Sequence, residues 1–599
     1  MSEKSLFLWI FSAGAGAALF FALPQSPAVG SGALICALSA LCFARYRRFA
    51  GFAAVFCFIF GFFYAAFRAD LVDTKLLGSN MRGADISGVV ERVDYAGEKN
   101  RVFLRAGGGL FRISVPAGEP VTRAMSLRAN LYAPGGIDAL NRFDFARWSF
   151  WSGLSGMGAA TMVYECSDCG ARRLALRDRI HYAANDKLVD SLVLGYKSAV
   201  PRTEYDSIKS AGIAHVISIS GFHMSLVGGW LFVIFMIGVK ALLQRWVRRF
   251  PARNLALPLT MAALALYLSA SGAGVSAIRS FIMAGAGFAA VLLNRKIMTV
   301  RSAALAFAVM LLINPFWIVS AGFQLSFAAV FGLVHFLDAR GPRPDMGGLR
   351  KWACLAVGTC VAAEIWTLPF VVYHFGVFTV YGVIGNFVLL PVFSIGVMPL
   401  VMLGAASAPL GWRLPLDVAN RIFDLVMRAA DWIGSLPASR IHAMEVPPLA
   451  LFLVFAGMFC FLVKEKRRAA VLFAGAAALV LLTPRPVLRM TADGEVVKFH
   501  DRFNAGYSER HPFVIPRGTR RAGECGKGVC EWRAKNWSAV SIQRFVPLAS
   551  NIGRLCEFDF VISYFPLELP GCPEKVLRGS VRIYESGRVE RVVPRRWGA

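Results

Sequence analysis

The chain has 599 residues, 56% of them hydrophobic, with a mean hydropathy of +0.54. These values exclude a wholly soluble fold and bound the chain to a polytopic membrane protein with room for one or two soluble domains. Lys and Arg number 65 against 37 Asp and Glu, a net charge of +28; part is the basic bias of cytoplasmic loops, and the excess suits a polyanion or an anionic membrane surface. No G-x-x-x-x-G-K-[ST] run occurs, so any energy source lies outside these residues.

Residues near 6–23, 28–44 and 50–67 read as three transmembrane helices, the first two joined by a Pro24/Pro27 turn. Arg45-Tyr46-Arg47-Arg48 is cytoplasmic by the positive-inside rule, which puts the amino terminus inside and the chain after residue 68 outside. Two further spans follow the first apolar run directly, so it is not expected to be a cleavable signal peptide. Residues 1–69 form the first expected unit.

Residues 70–170 are less apolar and hold alternating runs. Asp85–Val93, Arg101–Arg105, Leu110–Val115, Ser126–Leu131 and Gly158–Val163 each read as a half-buried strand. Five short strands at this spacing suit a small barrel such as the OB-fold. Arg101, Arg105, Arg112, Arg142, Arg147 and Trp148 place basic groups among aromatics, where they could track a phosphate backbone and stack bases; a solvated barrel face over an aromatic core is the plain alternative. Cys166 and Cys169 make a lone C-x-x-C, for which a structural disulfide outside the membrane is simpler than redox or metal chemistry. Residues 172–190 have the charged periodicity of an interfacial amphipathic helix.

The stretch 214–229 opens a long apolar run yet carries His215, Ser218, Ser220 and His223 among glycines. Were 214–223 one helix, the two histidines would share a face about two turns apart, a polar stripe inside a membrane segment. Helix–helix packing explains such a stripe as readily. A nucleophile elbow is disfavoured because Ser218 stands where G-x-S-x-G needs glycine, and two histidines alone make half a zinc site.

Leu192-Val193-Leu194-Gly195-Tyr196 followed by 211–223 resembles the signature of the ComEC competence family, whose members are taken to form the inner-membrane channel that carries single-stranded DNA inward during transformation. Asn141–Trp148 resembles a segment of that family's amino-terminal domain. Further matches follow in order: the break Ser271-Gly272-Ala273-Gly274 leading to Ser276 and Arg279; Asn314-Pro315 with Gly322-Phe323-Gln324-Leu325-Ser326-Phe327; and Glu364–Pro369 with Phe375-Gly376 and Asn386…Pro391. Ser280 departs from the family's alanine, and Glu364 from its more usual glutamine. The resemblance covers roughly 20–400 and implies a wet path lined by His215, Ser218, Ser220, His223, Arg279, Gln324 and Glu364, with Arg279 as a phosphate contact. An ion pair between Glu364 and Arg279 is a further expectation, since an intramembrane carboxylate needs a partner.

The basic loops at 245–249, 338–351 and 464–468 read as cytoplasmic. With spans near 395–410, 420–436, 448–463 and 469–483, the expected fold is an α-helical polytopic membrane protein of about eleven spans, some of them broken helices. It carries a small extracytoplasmic OB-like β-barrel, a channel domain over 171–483 and a short extracytoplasmic region over 484–599. In longer family members a metallo-β-lactamase-like domain follows the channel. Its His-x-His-x-Asp-His run is absent here, so no nuclease activity, metal or other cofactor is expected. Cys525, Cys530, Cys556 and Cys572 are disulfide candidates, with a four-thiolate zinc site as the rival.

The implied function is conduction of single-stranded DNA across the inner membrane. The implied partners are that strand, the lipid bilayer, a periplasmic DNA receptor and cytoplasmic DNA-handling proteins, a homo-oligomer staying open. Two other readings are a transporter of small anionic solutes built on broken helices and a membrane-embedded hydrolase using His223 or Glu364.

Overall fold

A computed structural model describes residues 3–22, 32–46, 50–95, 99–119, 121–134, 145–164, 176–196, 199–217, 219, 221–243, 251–292, 300–340, 347–437, 439–442, 446–462, 465–483, 486–490, 496–499, 505–507, 524–526, 529–533, 537–542, 555–563, 572–578, 581–584 and 586–591. The described chain is mostly helical and carries one closed five-stranded barrel.

Helices α1 (Glu3–Ala22), α2 (Gly32–Tyr46) and α3 (Ala50–Asp70) are apolar nearly all round. Two glycines decide how α1 meets α3. A Cβ on Gly16 would stand 2.0 Å from the Phe58 carbonyl oxygen, and one on Gly61 would stand 1.9 Å from that of Ala13. Only the missing side chains let the backbones touch, the packing mode helices use in lipid.

The barrel strands are β1 (Met81–Asp94), β2 (Lys99–Ala106), β3 (Gly109–Pro116), β4 (Ala124–Tyr132) and β5 (Leu154–Tyr164). They close in the order β1-β2-β3-β5-β4, with β3 and β5 parallel and the other pairs antiparallel. Alternation turns Val102, Leu104, Ile113, Val115, Leu127 and Ala129 inward, each fully buried. All five expected strands are present. A short helix, α4 (Phe145–Trp151), sits between β4 and β5 and anchors the barrel to the helices: Trp151 stacks on Phe316 at 5.7 Å and meets the edge of Phe21 at 5.6 Å.

Helix α5 (Leu176–Ala184) lies within the expected amphipathic stretch, but it packs on the barrel. His181 stacks on Tyr95 at 3.9 Å, and Asp178 is 2% exposed. Arg177 adds a bond to the Leu194 carbonyl at 2.6 Å and lies over the Tyr196 ring at 4.6 Å.

Among the described residues, four segments are long and apolar enough to cross a membrane: 53–70, 223–242, 348–375 and 382–410. Shorter apolar helices lie at 8–21, 275–289, 301–313, 321–337 and 448–462. The elements after α6 (Arg202–Ser210) are α7 (Gly221–Leu242), α8 (Arg253–Ala270), α9 (Val275–Leu292), α10 (Val300–Ile313), α11 (Ala321–Arg340) and α12 (Gly348–Phe375). Next come α13 (Gly382–Val392), α14 (Met398–Ser407), α15 (Leu414–Ser435), α16 (Pro448–Leu462) and α17 (Lys466–Leu482). Pro391 and a π-turn at 393–397 interrupt the apolar path between α13 and α14.

Helix α15, expected as a span over 420–436, is amphipathic. Asp417, Arg421, Asp424, Arg428 and Asp431 are exposed on one side, while Leu416, Ala419, Phe423, Val426, Ala430 and Ile433 are buried on the other. It lies along residues 184–210: Arg413 donates to the Ala184 carbonyl at 3.0 Å, Asn420 to Asp186 at 2.7 Å, and the Ser207 hydroxyl to Asp431. Short strands β6 (Val377–Thr379) and β7 (Arg440–His442) tie its far end to the end of α12.

The carboxy-terminal region holds two five-stranded sheets. One comprises β8 (Pro486–Met490), β9 (Val496–Phe499), β10 (Ala505–Tyr507), β16 (Val581–Tyr584) and β17 (Val589–Arg591), in the order β10-β9-β8-β16-β17. The other runs in chain order through β11 (Glu524–Gly526), β12 (Val529–Arg533), β13 (Ser538–Ile542), β14 (Phe560–Ser563) and β15 (Val576–Arg578). A Cys556–Cys572 disulfide crosses the second sheet's edge, and Cys525 and Cys530 are register partners on β11 and β12.

Candidate functional site

Three helices begin at one place, each after a stretch of irregular backbone. A 3-10 turn at 214–216 precedes α7, the break 271–274 precedes α9, and a 3-10 turn at 315–319 precedes α11. The α9 break is conformationally demanding: Gly272 has φ +78°, and Ala273, with a Cβ, has φ +49°. Ser276 in the first turn of α9 donates to the Gly322 carbonyl in the first turn of α11 at 3.3 Å. Gly221, the first residue of α7, faces α9 so closely that a Cβ on it would stand 2.6 Å from both Arg279 Nη2 and Ser280 Oγ.

Arg279 occupies this junction and is 6% exposed. Its Nε donates to Ser326 Oγ, its Nη2 to Ser280 Oγ at 3.1 Å, and its Nη1 meets Met283 Sδ at 2.9 Å. The guanidinium also lies 5.8 Å from the Phe327 ring centre. Every named contact is neutral, and among the described residues no carboxylate comes within ion-pair distance. The expected pair with Glu364 is not formed. Glu364 sits elsewhere, with Oε1 2.6 Å from where a Cβ on Gly382 would stand. The helix starts add the positive ends of three dipoles to a buried cation, a set that fits an anion.

The two histidines do not share a helix face. His215 lies in the 3-10 turn and is exposed, whereas His223 is in α7 and is 0% exposed, its ring 6.3 Å from that of Phe393. Helical geometry starts only at Gly221, so the spacing that would have aligned them does not apply. Ser218 and Ser220 lie outside the described residues. Gln324 is half-buried; its Nε2 donates to the Ile318 carbonyl at 2.8 Å, and His374 Nε2 lies 2.8 Å from its Oε1. This pairing satisfies an amide that sequence alone showed only to need a partner. Ser326, Met283 and His374 were not singled out from sequence, and Ser280 was noted only as a departure from the family's alanine; Ser326 stands inside a quoted motif, which was the available signal.

On the barrel, Arg105 pairs with Glu91, and Arg101 is half-buried beside Asp94 in the β1–β2 register. Arg112 lies 5.6 Å from the Phe145 ring centre, and burial together with Arg101 holds its guanidinium below its usual proton affinity. Arg92, which sequence reading passed over, stacks 3.9 Å over Phe103. Arg147 is 8% exposed, and Trp148 packs with the α1, α3 and α10 core, so these two support the docking of α4. Arg142, Cys166 and Cys169 lie outside the described residues.

A family model described as "Competence protein" matches residues 192–468. ComE operon protein 3 of Bacillus subtilis (strain 168) is 23% identical over 393 residues, which covers 63% of this chain and 46% of that protein. The chain thus spans about half the length of the curated relative it matches. No solved structure matches it. The matched residues contain the whole Arg279 junction, and over them the chain is similar to the competence family.

Proposed function

We propose that this protein is an inner-membrane channel that passes single-stranded DNA into the cytoplasm during natural transformation, with the barrel and the carboxy-terminal region on the outer side. The observation that carries this reading is Arg279. A buried guanidinium among apolar helices, held by hydroxyls and a thioether at the joint start of three helices, is an arrangement completed by a passing anion. A phosphate backbone supplies such anions in series. The exposed and half-buried arginines of the barrel, with Phe103 and Phe145 beside them, would gather the strand by charge and stacking. The family match supports a role in DNA uptake, and the Cys556–Cys572 disulfide supports an oxidising location for the carboxy-terminal region.

The test is uptake of labelled DNA in a strain lacking the gene, complemented with wild type, Arg279→Ala or Arg279→Lys at matched membrane levels. Wild type restores entry, Arg279→Ala abolishes it, and Arg279→Lys restores it in part because the charge returns without the fork. Unchanged entry on deletion would overturn the channel reading. Import of small anions that long oligonucleotides fail to compete would instead favour the solute transporter.

A further inference from the structure

One carboxylate joins the barrel to the break that precedes α9. Asp94, at the end of β1, stands between two guanidiniums: Arg92 Nε lies 3.2 Å from its Oδ1, and Arg177 Nη1 lies 3.8 Å from the same oxygen. The two arginines belong to different parts of the molecule. Arg92 is on the barrel, its side chain 49% exposed and its guanidinium 3.9 Å over the Phe103 ring. Arg177 is on α5 and only 16% exposed.

Arg177 also touches the two segments that lead to the Arg279 junction. Its Nη2 donates to the Leu194 carbonyl at 2.6 Å, and it fills the space beside Gly272, where a Cβ would stand 3.1 Å from Nη2 and 3.4 Å from Nη1. Gly272 is the residue at φ +78° in the break before α9. The two segments touch each other as well: a Cβ on Gly195 would stand 2.6 Å from the Ser271 carbonyl oxygen, and the Tyr267 hydroxyl donates to the Leu192 carbonyl at 3.2 Å. A shift of the Arg177 guanidinium is therefore felt at 192–196 and at 271–272.

At 3.8 Å the contact of Arg177 with Asp94 is an ion pair without a hydrogen bond, whereas a charge-assisted bond closes to about 2.8 Å. Among the described residues Asp94 Oδ1 accepts no hydrogen bond and Arg177 Nε donates none. Arg92 competes for the same oxygen. Drawing Arg92 away leaves the charge of Asp94 to Arg177, in the less exposed and so less screened of the two pairs. Nη1 and Nη2 diverge from Cζ, so closing the gap to Asp94 draws Nη2 back from the Leu194 carbonyl. We infer that Asp94 and Arg177 are positioning residues that couple the barrel to the break before α9: an anion that takes Arg92 releases Asp94 to Arg177 and loosens the contacts at Leu194 and Gly272. The coupling stands on this geometry, and that the anion is a phosphate of the strand rests on the proposed function.

The test is hydrogen–deuterium exchange of the full-length protein in detergent, read on peptides covering 192–196 and 271–273. The Ser271, Gly272 and Ala273 amides donate to the Tyr267, Ser269 and Leu268 carbonyls, so their exchange reports opening of the break. Arg92→Met keeps an apolar stem over Phe103 and removes the charge. It is expected to speed exchange at the break about two- to fivefold, the range of a partly exposed ion pair. Asp94→Asn is expected to abolish that effect, because Arg92 acts on the break through Asp94. An oligodeoxythymidylate added to wild type should reproduce the Arg92→Met change and leave the break of Asp94→Asn unaltered. Unchanged exchange over β2 and β3 shows in each variant that the barrel is intact. Break exchange in Arg92→Met equal to wild type would overturn the coupling, as would an Arg92→Met effect that persists beside Asp94→Asn. A response to Arg92→Met without one to the oligonucleotide supports the coupling and removes the strand as its ligand, a failure of the proposed function and not of this inference.

Discussion

Gly221→Ala tests the Arg279 junction without touching the charge. The added methyl would stand 2.6 Å from Arg279 Nη2 and Ser280 Oγ, about 0.8 Å short of ordinary contact. A flexible arginine tip would usually swing aside, but this one is 6% exposed and fixed by Ser326, Ser280 and Met283. The guanidinium can yield only by giving up its bond to Ser280. A hydrogen bond from a charged donor is worth about 1.5–3 kcal/mol, so an Arg279-dependent step should slow roughly ten- to 150-fold. Alanine is also a better helix former than glycine, so propensity alone would stabilise α7 and cannot explain a loss. Cytoplasmic entry of labelled DNA in the complemented deletion strain is the assay, with membrane levels matched. Ser280→Ala removes the same bond outright, so adding it to Gly221→Ala should cost little further, a non-additivity that a double-mutant cycle isolates. Wild-type entry by Gly221→Ala would refute the claim that the position of Arg279 matters.

Three further outcomes are expected. Gly385→Val drives a side chain into the Ala211 carbonyl, 2.0 Å from the Cβ position, and should cost about 3 kcal/mol or more, read as lower thermal stability and reduced membrane accumulation. Cys572→Ser opens a disulfide of sequence separation 16 and should destabilise the carboxy-terminal region by about 3 kcal/mol, read by protease sensitivity confined to residues after 484. Asp85 is hydrogen-bonded by Arg128 and Tyr164, which hold its carboxyl down at about 2 from an ordinary 3.8. Its pairing therefore stabilises the barrel above the ordinary value and is lost as pH falls towards about 2, so the acid sensitivity of the barrel should change in Asp85→Asn and be unchanged in a variant at an unpaired surface carboxylate.

The sequence by itself determined the membrane class, the five barrel strands and the likeness to the competence family. Each rests on a local signal: apolar runs of spanning length, period-two alternation, and motifs short enough to read in order. It also marked Arg279 and Gln324, because a charge or amide in an apolar run must find a partner wherever the chain goes. Tertiary structure decided which partner. Ser326 lies 47 residues from Arg279 and His374 lies 50 from Gln324, separations that no local pattern encodes. It also decided that Glu364 lies against Gly382 rather than with Arg279, and that His215 and His223 part company where helical geometry begins at Gly221. The amphipathic α15 shows the same limit. Its apolar face satisfies a hydropathy window, but its charged face and its bonds to residues 184–207 set where it lies. Hydropathy sums over a segment, whereas packing acts on one face at a time.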